Sequence, residues 1–246
     1  MDVIRVQSLT KRYGRTLAVD GIDFAVPAGA TVGLLGGNGA GKTTTIAMLL
    51  GLLIPTSGSV HVLGHDIARD RFAALARMNF SSPYVALPHR LSVAENLRVY
   101  GHLYNVKRAE RRISELADQL DLRELLDRPA GELSSGQRTR VALAKSLINR
   151  PEVLLLDEPT ASLDPDSADF VRTWLERYRA ESGSTILLAS HNMAEVERLC
   201  SYVLMMRAGR IVDRGSPREL LDRYGREDLE DVFLDIARGR RQREPA

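Results

Sequence analysis

The chain has 246 residues, 44% of them hydrophobic, which is enough for a full core in one large domain or in a domain with an inserted lobe. Its 34 lysines and arginines face 32 acidic residues, so the net charge of +2 gives no argument for nucleic-acid binding. The single cysteine, Cys200, excludes an internal disulfide, fits a reducing compartment, and reads as a small core residue ahead of an apolar run.

The amino terminus, Met1-Asp2-Val3-Ile4-Arg5, is charged early and carries no apolar segment, so no secretory leader is expected. No apolar stretch approaches the length of a membrane span. The expectation is a chain soluble by itself, whose role at a membrane would need a separate partner.

Residues 3–35 show short alternating or β-branched runs broken by Gly14, Gly21, Pro27 and Gly29, a pattern of strands and tight turns. The last of these runs, Thr31-Val32-Gly33-Leu34-Leu35, suits a buried parallel strand. It leads into Gly36-Gly37-Asn38-Gly39-Ala40-Gly41-Lys42-Thr43. Residues 44–53 follow with Ile46, Leu49, Leu50 and Leu53 at helical spacing. Residues 58–63 and 77–81 are expected strands.

From residue 92 to 150 the character becomes helical. Ser92-Val93-Ala94-Glu95 has the form of a capping box opening a helix that carries Leu97, Tyr100 and Leu103. Residues 107–120 are amphipathic through Ile113, Leu116, Ala117 and Leu120. Residues 135–149 form another helix with Val141, Ala144, Leu147 and Ile148 on one face.

Strands return at 153–156 and 185–188, both fully apolar and of the kind buried in a parallel sheet. A helix over 165–181 joins them, with Phe170, Trp174 and Tyr178 along one side. Residues 202–206 and 210–212 read as a hairpin around Ala208-Gly209, and helices over 217–224 and 228–237 complete the pattern. The basic run Arg238-Gly239-Arg240-Arg241-Gln242-Arg243 reads as a solvated end, with contact to an anionic surface or a partner as the other possibility. The order implies an α/β nucleotide-binding core interrupted by a mostly helical insertion.

Residues 36–43 have the G-x-x-x-x-G-K-[ST] form, between a strand and a helix. Backbone N–H groups in such a loop make an anion nest at a helix start. Gly36, Gly37, Gly39 and Gly41 let the backbone approach phosphate oxygens, Lys42 would neutralise β- and γ-phosphate charge, and Thr43 would offer its hydroxyl to Mg²⁺. Asp157 and Glu158 follow the apolar run 153–156, at the carboxyl end of a buried strand where ligands bind in α/β sheets. Asp157 would hold Mg²⁺, and Glu158 would polarise the attacking water. His191 follows the second apolar strand and could donate to a γ-phosphate oxygen. His61, His65, His89 and His102 have neither a motif nor metal-ligand spacing and read as surface or packing residues.

Taken in order and spacing, residues 36–44, Leu133-Ser134-Ser135-Gly136-Gln137, residues 153–160, Ser162-Leu163-Asp164 and His191 resemble the ATPase subunit of an ATP-binding cassette (ABC) transporter, over essentially the whole chain. The resemblance implies a P-loop NTPase core with a mainly parallel sheet, an N-terminal antiparallel β subdomain and an inserted helical subdomain. On that basis residues 1–82 and 151–215 are expected to form the core, 83–150 the helical subdomain, and 216–246 a helical tail. The cofactors implied are ATP and Mg²⁺.

The resemblance adds roles to residues. Gly36, Gly37, Asn38, Gly39, Ala40, Gly41, Lys42, Thr43 and Thr44 would wrap the phosphates, and Asp164 belongs to the segment beside the nucleotide. Tyr13 matches the aromatic residue that stacks on adenine. Ser134, Ser135, Gly136 and Gln137 match the signature that opens a helix and faces the γ-phosphate of an ATP held by the other protomer. Partners implied are a second nucleotide-binding subunit and separate membrane permease subunits, with the chain on the cytoplasmic face and no nucleic acid. The segment Leu229-Glu230-Asp231-Val232-Phe233-Leu234 resembles the closing helix of exporters of drugs, lipids or polysaccharides.

Two departures stand out. Ser135 occupies a position where the family usually has Gly. In Met78-Asn79-Phe80-Ser81-Ser82-Pro83-Tyr84, the family Gln that links the site to the membrane subunit falls near Ser82 or Pro83. Two rival readings follow: a non-transport ABC ATPase acting on ribosomes or nucleic acid, and a nucleotide-binding regulator without turnover. Cargo is not readable, since transported molecules contact the membrane subunits.

Overall fold

The computed structural model describes residues 1–83, 87–161 and 163–237. In chain order the elements are β1 (Asp2–Tyr13), β2 (Thr16–Pro27), β3 (Thr31–Leu35), α1 (Lys42–Leu49), β4 (Ser57–Val62), β5 (His65–Asp66), α2 (Arg71–Leu75), β6 (Met78–Ser81), α3 (Val93–Leu103) and α4 (Ala109–Gln119). Two short 3₁₀ turns precede α5 (Ser135–Ser146), β7 (Val153–Asp157), α6 (Pro165–Ser182), β8 (Thr185–Ser190), α7 (Met193–Leu199), β9 (Tyr202–Arg207), β10 (Arg210–Gly215), α8 (Pro217–Tyr224) and α9 (Leu229–Ala237). The chain divides into two compact units, one of Met1–Ala74 with Thr185–Ala246, the other Leu75–Ser184.

In the first unit an antiparallel sheet runs in the order β2-β1-β4-β5. Alternation drives it: Ile4 and Val6 are buried while Arg5 and Gln7 face outward. Strict alternation would next bury Ser8. A register shift between Val6 and Leu9, with Ser8 at φ +46°, brings Leu9 inward instead. The second sheet of this unit has the order β10-β9-β3-β8. β3 pairs in parallel with β8 and β9, and β10 is antiparallel to β9. β3 and β8 are buried at every position, as expected for strands covered on both faces. The hairpin turn is Ala208-Gly209, both at positive φ (48° and 79°), the conformation that matches strand twist in a two-residue loop.

Helix α1 begins at Lys42 and ends at Leu49, shorter and earlier than the apolar spacing of residues 44–53 predicts. Gly51 is the reason. At φ +65° it lets its N–H reach Met48 O (3.1 Å) and Leu52 N–H reach Ala47 O (3.0 Å), a Schellman stop. Leu52 is left 77% exposed.

In the second unit β6 and β7 pair in parallel, from Met78↔Val153 to Ser81↔Leu156. Arg77 grips Glu152 with two hydrogen bonds (2.6 and 2.7 Å) just before these strands, and Asn79 Nδ2 donates to Asn149 Oδ1 (2.9 Å). The capping box at Ser92 is present: Ser92 Oγ accepts from Glu95 N (3.2 Å) and Glu95 Oε2 from Ser92 N (2.8 Å). Leu97 is buried as expected, but Leu103 at the helix end is exposed. Ile113, Leu116, Ala117 and Leu120 are buried, as are Val141, Ala144, Leu147 and Ile148. α6 buries Ala168, Val171, Trp174 and Leu175. Of the three aromatics expected on one side, Trp174 is buried and stacks on half-buried Tyr178 at 5.0 Å, whereas half-buried Phe170 lies beneath the Arg140 guanidinium.

Candidate functional site

In the first unit the chain leaves β3 at Leu35 and turns through residues 36–41 into α1. The turn is tight enough that side chains are excluded at two points. A Cβ on Gly36 would sit 2.5 Å from Met206 O and 2.9 Å from Ala40 Cβ. Gly41, at φ +103°, is the N-cap of α1, and a Cβ there would sit 2.6 Å from Ala18 O. Ala40 O accepts from Gly209 N (3.1 Å) and Gly209 O from Asp20 N (2.9 Å), so the β9–β10 turn braces the loop. Gly209 was legible only as a turn residue; its bracing role depends on a contact 169 positions away from Ala40, at a distance no local pattern reports.

Lys42 is 6% exposed, and its Nζ donates to Gly36 O (2.7 Å) and Gly37 O (3.4 Å). A buried ammonium thus stands against the loop at a helix N-terminus that has no side-chain cap and no acid in its first turn. Asn38 and Thr43 are exposed, Ala40 is buried, and Thr44 is half-buried. Close packing of a cation, a glycine turn and uncapped helix amides fits a polyanion such as a nucleotide phosphate chain. The Phe233 ring of α9 lies 3.7 Å from where a Cβ on Gly37 would be, and Arg207 Nη1 ties the end of α9 through Ile236 O (2.7 Å).

Ser190, the last residue of β8, pairs with Leu35, so the chain leaves the sheet at the same level at Gly36 and at His191. His191 is exposed. Tyr13 ends β1, is 49% exposed, and carries Lys11 Nζ over its ring at 5.2 Å. Cys200 is 6% exposed at the end of α7, its Sγ 3.0 Å from a Cβ position on Gly33; burial, with the charge of Glu195, pushes its thiol far above the ordinary range.

In the second unit Asp157 ends β7 and is 1% exposed. Glu158 follows at φ +53°, half-buried, with its carbonyl accepting from Ala161 N (3.1 Å). A left-handed non-glycine residue costs about 1–2 kcal/mol, and such strain clusters at functional positions. Asp164 is the N-cap of α6; its Oδ1 accepts from Ser167 N (3.0 Å), which holds the carboxyl below its usual range. Ser134 and Gln137 make a full capping box on α5: Ser134 Oγ accepts from Gln137 N (3.3 Å) and Gln137 Oε1 from Ser134 N (2.9 Å). Ser135 is exposed, so its side chain is accommodated without a neighbour moving. Gly136 is buried, and a Cβ there would sit 2.6 Å from Ser167 Oγ.

Ser82 is buried and Pro83 exposed, while Tyr84 and Ser162 lie outside the described residues, as does the basic run at 238–243. His65 pairs with Asp70 (2.8 Å), and His89 and His102 are exposed. Among the described residues no helix is long and apolar enough to cross a membrane.

Comparison with known proteins bears on this geometry. The family model described as ABC transporter matches residues 19–161, more than half of the chain. Nod factor export ATP-binding protein I of Ralstonia nicotianae is 39% identical over 237 residues, covering 95% of this chain and 73% of that protein. Daunorubicin resistance ATP-binding protein DrrA3 of Streptomyces coeruleorubidus is 37% identical, covering 94% and 74%. Among solved structures, an ATP-binding subunit of an ABC transporter superposes with a TM-score of 0.87 at 26% identity, covering 96% of this chain and 99% of that one. The cbiO1 structure from Clostridium perfringens, part of the transporter complex cbiONQ, gives 0.80 at 30% identity, covering 96% of each. The fold is that of the P-loop NTPases, and the chain belongs to the ABC transporter family as one of its ATP-binding subunits.

Proposed function

We propose that the protein is the ATP-hydrolysing motor of an exporter. Two nucleotide-binding subunits would close on ATP and drive separate permease subunits at the cytoplasmic face of a membrane. The observation that carries the reading is the glycine turn of residues 36–41 with Lys42 Nζ fastened against it at an uncapped helix start. Export is supported by the relatives, which serve Nod factor export and daunorubicin resistance, and by α9, which brings the LEDVFL segment beside Gly37. The membrane partner is supported by the complex to which cbiO1 belongs.

In this reading residues 1–82 and 151–215 are the ATPase core, 83–150 the helical subdomain and 216–246 the tail. Residues 36–44 wrap the phosphates, Lys42 offsets their charge, and Tyr13, half exposed at a strand end, stacks on the base. Asp157 and Thr43 would hold Mg²⁺, which when bound neutralises charge on the phosphate chain. Glu158 orients and deprotonates the attacking water, and His191 donates to the terminal phosphate. Ser134, Ser135, Gly136 and Gln137 present the start of α5 to the nucleotide of the second protomer, and Asp164 sets the start of α6 alongside. The ribosome or nucleic-acid reading is disfavoured by the exporter relatives.

The test is Glu158→Gln with ATP and Mg²⁺. The variant is expected to bind ATP and accumulate as a dimer by light scattering, with turnover reduced about 10²–10⁴-fold, the range for loss of a general base. A variant that stays monomeric and releases phosphate at the wild-type rate overturns the mechanism.

A further inference from the structure

Four helices that begin with a Ser or Asn cap and a Glu or Gln at the third position are not built alike. At Ser92/Glu95, Ser134/Gln137 and Ser216/Glu219 the third-position side chain bonds the cap residue's own N–H directly, at 2.8, 2.9 and 2.8 Å, and none of these caps is buried: Ser134 is exposed, Ser92 and Ser216 half-buried. At α7 the cap is Asn192, whose Oδ1 accepts from Glu195 N (3.1 Å). Here the Glu195 carboxylate does not reach back to Asn192 N. Ser190 Oγ stands between them, accepting from Asn192 N (3.0 Å) and donating to Glu195 Oε2 (2.6 Å).

Ser190 and Glu195 are both 0% exposed. Burying a carboxylate is costly unless it is hydrogen-bonded, and the 2.6 Å separation lies in the range of a hydroxyl bonding an ionised acid. A directly bonded cap would stabilise α7 with an exposed acid and no such burial. What the buried version adds is position. Ser190 and Asn192 flank His191, so the closed ring of Ser190, Asn192 and Glu195 fixes the backbone on both sides of that residue. Ser190 also pairs with Leu35, the last residue before the phosphate turn, so the ring references His191 to that turn.

We propose that Glu195 is a positioning residue for His191, acting through the Ser190 hydroxyl. This rests on the reading of His191 as a donor to the terminal phosphate. Small displacements of a reacting group cost about 10²-fold in rate. Glu195→Ala is therefore expected to lower kcat about 10–100-fold with the KM for ATP changed by no more than about 3-fold, since the phosphate turn itself is untouched. Glu195→Gln keeps an oxygen that accepts from Ser190 and restores most of the rate. In a His191→Ala background Glu195→Ala has no further effect, because residues acting as a unit are not additive.

Histidine-labelled NMR, with the His191 ring signals assigned by their loss in His191→Ala, gives a readout independent of turnover. Glu195→Ala and Ser190→Ala are both expected to shift those signals. If Glu195→Ala does not fold, Ser190→Ala carries the test, since it removes the linking hydroxyl and leaves the acid in place. The proposal is overturned if Glu195→Ala slows the His191→Ala enzyme as much as the wild type, or if the His191 signals do not move in either variant. If they move while His191→Ala turns over ATP normally, positioning stands and the phosphate-donor role of His191 falls.

Discussion

The starts of α1 and α5 are the same physical object, a helix N-terminus whose first amides have no acceptor within the helix, yet they are finished in opposite ways. α1 has a glycine cap in the left-handed region, no capping side chain, and the buried Lys42 ammonium against it. α5 is satisfied by its own Ser134–Gln137 box and lies at an exposed surface. The first is shaped so that an anion completes it; the second is stable alone and would engage an anion only as an added contact. That difference matches the proposed division of labour, in which one half-site binds nucleotide and the other closes on it.

The comparison can be broken most decisively at Gly41. Gly41→Ala would force a Cβ against Ala18 O at 2.6 Å in a backbone conformation that itself costs about 1–2 kcal/mol for a side-chain-bearing residue. Loss of measurable ATP binding by titration calorimetry is expected, with a lower Tm. Retained nucleotide affinity would show that the turn is not the phosphate seat.

Ser134→Ala should do less, and something different. Losing the cap costs about 1 kcal/mol of stability, seen as a modest fall in Tm, while ATP binding to the isolated subunit is unchanged. Turnover should fall only under conditions where subunits pair, so a concentration series of phosphate release separates the cap from the site. A fall in monomer affinity would merge the two half-sites and end the contrast.

The smallest effect concerns Asp164. Its carboxyl is held below the usual aspartate value of 3.8, first by the Ser167 backbone N–H. A depressed folded-state pKa contributes stability above the unfolded value and loses it as pH falls through the folded one. The Tm difference between wild type and Asp164→Ala should therefore be constant near neutrality and shrink below about pH 4. A difference that grows on acidification would contradict the assignment.

Motifs carried by neighbours in sequence were legible in advance. The glycine turn of residues 36–41 between a strand and a helix, the Ser92–Glu95 box and the apolar stripes of α4 and α5 each depend on spacing between near neighbours. Where the reading slipped, a single backbone feature intervened. Gly51 stopped α1 short of Leu53, and the bulge at Ser8 reset the alternation of β1. The Ser190–Glu195 link was invisible because its partners look like an ordinary strand end and an ordinary helix turn until burial is known.

Sequence alone pointed to the ligand class, because backbone conformation, amide donors and charge in a nine-residue loop are local properties, and it placed most elements in order, β5, α2 and α7 excepted. Only the tertiary structure decided why Gly36 and Gly41 exclude a side chain, since the obstructing oxygens belong to Met206 and Ala18 on other strands. It also decided that Cys200 is buried with its thiol held above the ordinary range and that His191 stands beside a buried acid–hydroxyl pair, because burial and pairing are set by residues distant in the chain and near in space.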